Sequence, residues 1–246
     1  EAIQNFNIAI IAKPNDFEAY FLRGIAKYSL NDFTGAVNDF TRTLDLHPLY
    51  VRAYHYRGIS NDQLGNYADA KKDYNIAIKL DPYDPELHIA LGSTKLHLNE
   101  FEDAIASFDT ALIINPTNAN AYINRGVAKR FLNQLDEAVA DLDKAVYYDF
   151  FNVEALVRRG IIQMEREKYK EAMLDFNNAL KLDSDNPIIY FNRGTVHLNM
   201  GDTVSALKDY ERVNNLDENN ALTYFNRGII YGQLNENDIA LALFDR

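Results

Sequence analysis

Five histidines, two groups of acidic residues and a regular series of arginines are the side chains of this 246-residue chain that could carry chemistry. A histidine metal site needs two ligands on one helical face and a third close by. His47, His55, His88, His97 and His197 offer no such spacing, and His88 reads as a core residue. Asp81, Asp84 and Glu86 cluster, as do Asp183 and Asp185. A calcium loop requires a regular run of oxygen ligands around a central glycine, which neither group has. Both read as turns whose acids favour the start of the next helix. The glycines stand singly and form no phosphate-binding loop. No serine, histidine and acid make a credible triad. With no cysteine in the chain, disulfides, cysteine metal sites and a cysteine nucleophile are excluded. The expectation is therefore a chain that is not an enzyme, with no metal and no cofactor.

The formal net charge of −11 repels phosphate backbones and gives no attraction to anionic lipid. Nucleic acid is accordingly not expected as a partner. No run approaches the roughly 20 apolar residues of a membrane span, so membrane insertion is not expected, and no signal peptide is visible. Compartment stays open between cytoplasm and periplasm. The 47% hydrophobic content is ordinary for a packed protein.

The elements that must position these side chains are set by a 34-residue period. Glycine recurs at 24, 58, 92, 126, 160, 194 and 228, and alanine twelve residues after each, at 36, 70, 104, 138, 172, 206 and 240. Such a period marks a stacked array with one continuous core. Repeats numbered from 1 start at Phe17, Val51, Pro85, Ala119, Val153, Pro187 and Ala221. Position 4 is large (Tyr20, Tyr54, His88, Tyr122, Leu156, Tyr190, Tyr224), as is position 24 (Phe40, Tyr74, Phe108, Leu142, Phe176, Tyr210, Phe244). Position 27 is mostly alanine, and position 32 is proline at Pro48, Pro82 and Pro116. Apolar spacing predicts two helices per repeat, near positions 2–14 and 18–30. Small residues at positions 8 and 20 let the helices approach while large ones fill the space beside them. Proline ends the second helix. Asn31-Asp32, Gly65-Asn66, Asn99-Glu100 and Gly201-Asp202 supply the turn between helices.

The set Ala53-Tyr54, Gly58, Tyr67, Ala70, Tyr74, Ala77 and Pro82 resembles the tetratricopeptide repeat family, and the resemblance covers the whole chain. It departs mildly at Phe150, Ser184 and Glu218, where proline is usual, and at Thr43 and Val213, where alanine is usual. The resemblance implies an all-α, right-handed solenoid of antiparallel helix pairs. It divides a single array over 1–246 into a lone second helix at 1–16, complete repeats at 17–50, 51–84, 85–118, 119–152, 153–186 and 187–220, and a truncated repeat at 221–246. Neither end reads as a capping unit, so a fragment of a longer protein is expected. Asn-Arg-Gly in three repeats, with much tyrosine, asparagine and isoleucine, resembles bacterial arrays of the family.

Position 7, usually apolar in the family, is arginine in six repeats: Arg23, Arg57, Arg125, Arg159, Arg193 and Arg227. Position 23 is aspartate in five: Asp39, Asp73, Asp141, Asp175 and Asp209. The third repeat has neither (Leu91, Ser107), and the seventh pairs Arg227 with Leu243. This correlation predicts an ion pair inside each repeat, between an arginine fork and a carboxylate on the second helix. The arginines are then structural and no ligand-binding patch.

The resemblance implies that first helices line a concave face. Position 5 there reads Phe21, His55, Ile89, Ile123, Val157, Phe191 and Phe225; position 6 includes Tyr56, Asn124, Arg158, Asn192 and Asn226. Family members use asparagines at position 6 to hold the backbone of an extended peptide. Asn124, Asn192 and Asn226 match that role, with Arg158 breaking the series and the phenylalanines as apolar anchors. Arg130 and Arg158 form the one local basic spot, which an acidic peptide could touch. No cationic cluster for a terminal carboxylate emerges. The leading expectation is a scaffold or adaptor binding a protein or peptide segment in this groove. The alternatives are a recognition or spacer arm of a larger enzyme, and a module that self-associates end to end.

Overall fold

A computed structural model describes residues 2–246, which form fifteen α-helices and, among the described residues, no strand. They fall into two compact units, divided between residues 132 and 133. The first contains α1 (Ala2–Ala12), α2 (Phe17–Tyr28), α3 (Phe33–Leu46), α4 (Val51–Gln63), α5 (Tyr67–Leu80), α6 (Pro85–His97), α7 (Phe101–Ile114) and α8 (Ala119–Phe131). The second contains α9 (Leu135–Tyr148), α10 (Val153–Glu165), α11 (Tyr169–Leu182), α12 (Pro187–Asn199), α13 (Thr203–Leu216), α14 (Ala221–Gln233) and α15 (Asn237–Phe244). The unit boundary falls inside the 119–152 repeat, between α8 and α9. Within each unit, consecutive helices pack as antiparallel pairs, and each pair stacks on the next.

Both helices of a repeat begin one position earlier than the apolar spacing predicts. The caps explain this for the first helix. Asp16, Asp84, Asn118, Asn152, Asn186 and Asn220 close a repeat and accept a backbone N–H from the next helix, as Asn152 Oδ1 does from Ala155 at 2.9 Å. Helix therefore starts at position 1 itself, and Pro85 and Pro187 there lack an N–H that would have no partner.

The turn inside each repeat has one recurring conformation. Position 15 is left-handed in every repeat: Asn31, Asn99, Asn133, Glu167 and Asn235 at φ 58–64°, Gly65 at 75° and Gly201 at 81°. The following N–H reaches back across the turn, as Asp32 does to Lys27 O at 2.9 Å and Asp202 to His197 O at 2.9 Å. This is the six-to-one closure that satisfies a helix end.

The cores follow the alternation of small and large residues. Gly58 faces the ring of Tyr74, and Gly92 that of Phe108. Tyr74 is 1% exposed and Phe108 fully buried. The large residue at position 4 ties five of the repeats to the turn before them. Tyr54 Oη donates to Pro48 O at 3.1 Å, Tyr122 to Pro116 O at 3.2 Å and Tyr190 to Ser184 O at 3.0 Å. His88 takes the same place, its Nε2 lying 3.0 Å from Pro82 O. That histidine belongs to the packing.

Candidate functional site

The arginines at position 7 hold the stack on the side away from the first-helix faces. Arg57 donates from Nε to Asp73 Oδ2 at 2.9 Å and from Nη2 to Oδ1 at 2.7 Å. Arg23 with Asp39, Arg159 with Asp175 and Arg193 with Asp209 repeat that fork at 2.6–3.0 Å. These aspartates are 3–6% exposed. Arg125 lies in the first unit and the buried Asp141 in the second.

A further contact went unread in the sequence. The remaining arm, Nη1, reaches the preceding repeat at position 25. Its acceptors are Asn7 at 2.7 Å, Thr41 at 3.1 Å, Asp109 at 2.5 Å, Asp143 at 2.7 Å and Asn177 at 2.8 Å. Arg23, Arg57, Arg159 and Arg193 thus each clamp two successive second helices. The signal was a side-chain oxygen sixteen residues before each of these arginines, hidden because asparagine, threonine and aspartate share the task. Arg227 is the exception. With Leu243 in place of an aspartate, its Nη1 turns to Asn214 Oδ1 at 2.9 Å and its buried Nε has no acceptor.

On the first-helix faces the expected anchors divide. Phe21 and Ile123 are each 2% exposed and Ile89 is 8%, so these three are core residues and are corrected as such. Phe21 is boxed in by Phe40, Tyr50 and Tyr56, with ring centroids 5.7, 5.0 and 5.8 Å away. Tyr56 is itself half-buried in that cluster. The aromatic side chains of this stretch therefore fill their own face. His55 is half-buried beside the Tyr56 and Tyr74 rings, and Asn124 Nδ2 donates to Ser93 Oγ at 3.4 Å. Arg130 is half-buried on α8.

Burial pushes the His55 imidazole below its ordinary value, against the pull of the Asp84 charge. A histidine depressed in the fold contributes stability that is present above its unfolded pKa and lost as pH falls through the folded one. The urea midpoint is expected to fall as pH drops below about 6.5, and to fall less in His55→Gln. Asp62 on the same helix has the opposite sign. Burial raises its carboxyl, although Tyr74 Oη and Thr94 Oγ1 donate to it at 2.8–3.0 Å.

In the second unit the same face stays open. Val153, Glu154, Val157, Arg158 and Ile161 of α10, with Asp183, Asn186 and Ile188, enclose a groove of about 470 Å³. One repeat further on, Pro187, Ile188, Phe191, Asp217, Asn220 and Leu222 enclose another of about 270 Å³. The two are built alike. Positions 1, 2, 5, 31 and 34 of one repeat and position 2 of the next line both, and Ile188 is the wall they share. Ile188 is 61% and Leu222 55% exposed. Phe191 is half-buried against Tyr210, while Phe225 is 53% exposed on α14.

The amides here are not free. Asn192 Nδ2 donates to Ile188 O at 2.8 Å, and Asn226 bonds to the Tyr210 hydroxyl. Each keeps further capacity, since an amide offers two donors and two lone pairs. Arg158 is no open basic spot: its Nε and Nη2 each lie 2.7 Å from Glu154 Oε1. An acidic peptide approaching Arg158 would meet a guanidinium already paired with a carboxylate four residues back. Among the described residues no helix is long and apolar enough to cross a membrane.

A solenoid of helix pairs with apolar clefts along its first helices defines a repeat-protein interaction module. The chain belongs to the tetratricopeptide repeat family: residues 21–85, 57–119, 107–140 and 188–220 match tetratricopeptide repeat patterns and 160–201 a TPR repeat pattern. Solved structures share the fold. A tetratricopeptide repeat protein from Parabacteroides merdae is 23% identical over 93% of this chain and 91% of its own, with a TM-score of 0.76. PilW, a widely conserved type IV pilus biogenesis factor, is 17% identical over 81% of this chain and 92% of its own, with a TM-score of 0.75. YrrB, a TPR protein with an unusual peptide-binding site, is 18% identical over 75% of this chain and 95% of its own, with a TM-score of 0.59. No curated protein matches the sequence. The family is one of protein–protein interaction modules and generally of non-enzymatic scaffolds.

Proposed function

We propose that this chain is an adaptor that holds an extended segment of another protein along α10, α12 and α14. The observation that carries this reading is the repetition of one apolar pocket at a one-repeat interval, with exposed Ile188 between the two copies. A side chain of the segment would enter each pocket, and the spare amide capacity of Asn192 and Asn226 would meet its backbone. Phe225, exposed on the next first helix, would extend the apolar track. YrrB supports the reading, because a protein of this fold carries a peptide-binding site.

Selection of peptides from a random library on the intact chain tests it. Peptides recovered on the wild type should lose about tenfold or more in affinity on Ile188→Ser/Leu222→Ser, in keeping with the weight of apolar anchors at interfaces. Both side chains are exposed, so the thermal midpoint should barely move. Equal binding to wild type and variant, with equal folding, would reject the groove.

A further inference from the structure

Resting on the groove reading above, we infer that the bound segment is cationic: apolar residues about three apart, flanked by lysine or arginine. The pocket linings carry the argument. In the first, Glu154 and Arg158 neutralise each other through two 2.7 Å contacts, which leaves Asp183 unopposed at the rim. In the second, Asp217 occupies the equivalent place and no cation lines the pocket. The charge is thus repeated with the same period as the apolar floor.

These two aspartates stand where Asp81 and Asp149 stand in other repeats. Each is the residue that ends a helix, Asp183 after α11 and Asp217 after α13. The last carbonyls of a helix already present partial negative charge, so an acid there is unfavourable unless a cation offsets it. The bonds within the fold are neutral: Asn186 Nδ2 donates to Asp183 Oδ2 at 2.9 Å, and Asn220 Nδ2 and Asn219 N donate to Asp217 at 3.1 and 3.2 Å. They orient the carboxylates without cancelling their charge. A lysine or arginine lying over the rim would meet both the carboxylate and the helix end. The net charge of −11 adds long-range attraction of the same sign.

The spacing follows from geometry. Packed helices lie about 8–10 Å apart, and a segment in the polyproline II conformation advances about 3.1 Å per residue and returns a side chain to the same face every third residue. Side chains entering successive pockets are therefore about three residues apart.

Fluorescence anisotropy on the full 246-residue chain tests this with three labelled peptides. One carries two leucines three residues apart, flanked by lysines; one has glutamate for lysine; one keeps the lysines but sets the leucines side by side. The first should bind about fivefold to tenfold tighter than the second at low salt, the scale of two partly exposed ion pairs. The advantage should shrink with added salt and vanish in Asp183→Asn/Asp217→Asn, and the third peptide should bind more weakly than the first. Equal binding of lysine and glutamate peptides, both lost in Ile188→Ser, would overturn the charge inference and leave the groove standing. Lysine-dependent binding that ignores Ile188→Ser would overturn both. No binding by any of the three overturns the inference.

Discussion

Asp73→Ala is expected to lower the free energy of unfolding by roughly 2–4 kcal/mol. The carboxylate is 3% exposed and receives two forked bonds from Arg57, at 2.7 and 2.9 Å. Its loss strands a guanidinium whose third contact, to Thr41 at 3.1 Å, cannot replace a charge. The Arg57 side chain keeps 21% exposure, so water relieves part of the penalty and the upper end of the buried-pair range is not reached. Arg57→Ala should cost a similar amount, for the complementary reason. The double variant should lose much less than the sum, with a coupling of about 1–3 kcal/mol. Chemical denaturation of the four proteins measures this, and additive losses would show that the pair is not a unit. The same fork joins the two helices of four repeats, while the third arm of each arginine reaches the repeat before.

Gly92→Ala is the second large effect. Alanine is ordinarily the better helix former by about 1 kcal/mol. Here a Cβ would sit 2.5 Å from Cε1 and 2.7 Å from Cζ of Phe108, whose ring is fully buried. Neither helix can retreat without losing the packing around it, and overpacking of this kind costs about 1–3 kcal/mol. A net loss is therefore expected where propensity alone predicts a gain. Phe108→Leu costs by itself, but should make Gly92→Ala far less harmful, because the smaller side chain leaves room for the methyl. Thermal unfolding of the single and double variants checks the sign of that coupling. A stabilised Gly92→Ala would contradict the close approach of α6 and α7.

Most of the scaffold was legible because each rule recurs along the chain at one period. Glycine opposite an aromatic is weak evidence once and decisive in register. The helix starts were misplaced by one position because apolar periodicity reports a face, while the end of a helix is decided by a cap. The caps stand at Asp84, Asn118, Asn152, Asn186 and Asn220. The groove was harder to read. Position 5 sits at the margin between the core seam and the open face, and its fate depends on its neighbours' volume. Phe21 is walled in by Tyr50 and Tyr56, whereas Phe225 stays 53% exposed. The two phenylalanines look alike in sequence. Arg158 likewise looked available until its partner Glu154, one turn earlier, was placed against it. Beyond the arginine–aspartate forks, sequence could not supply which side chains around the first-helix face pack on or pair with one another, and that decides which face is left to a ligand.

The most direct measurement of the central claim is a methyl NMR titration of the intact chain, labelled at isoleucine and leucine, with a selected peptide. The groove requires that Ile161, Ile188 and Leu222 move on binding, while Leu174, 61% exposed on the second helix α11, stays where it is. Movement of Leu174 with the other three methyls silent would place the partner on another face and contradict the account.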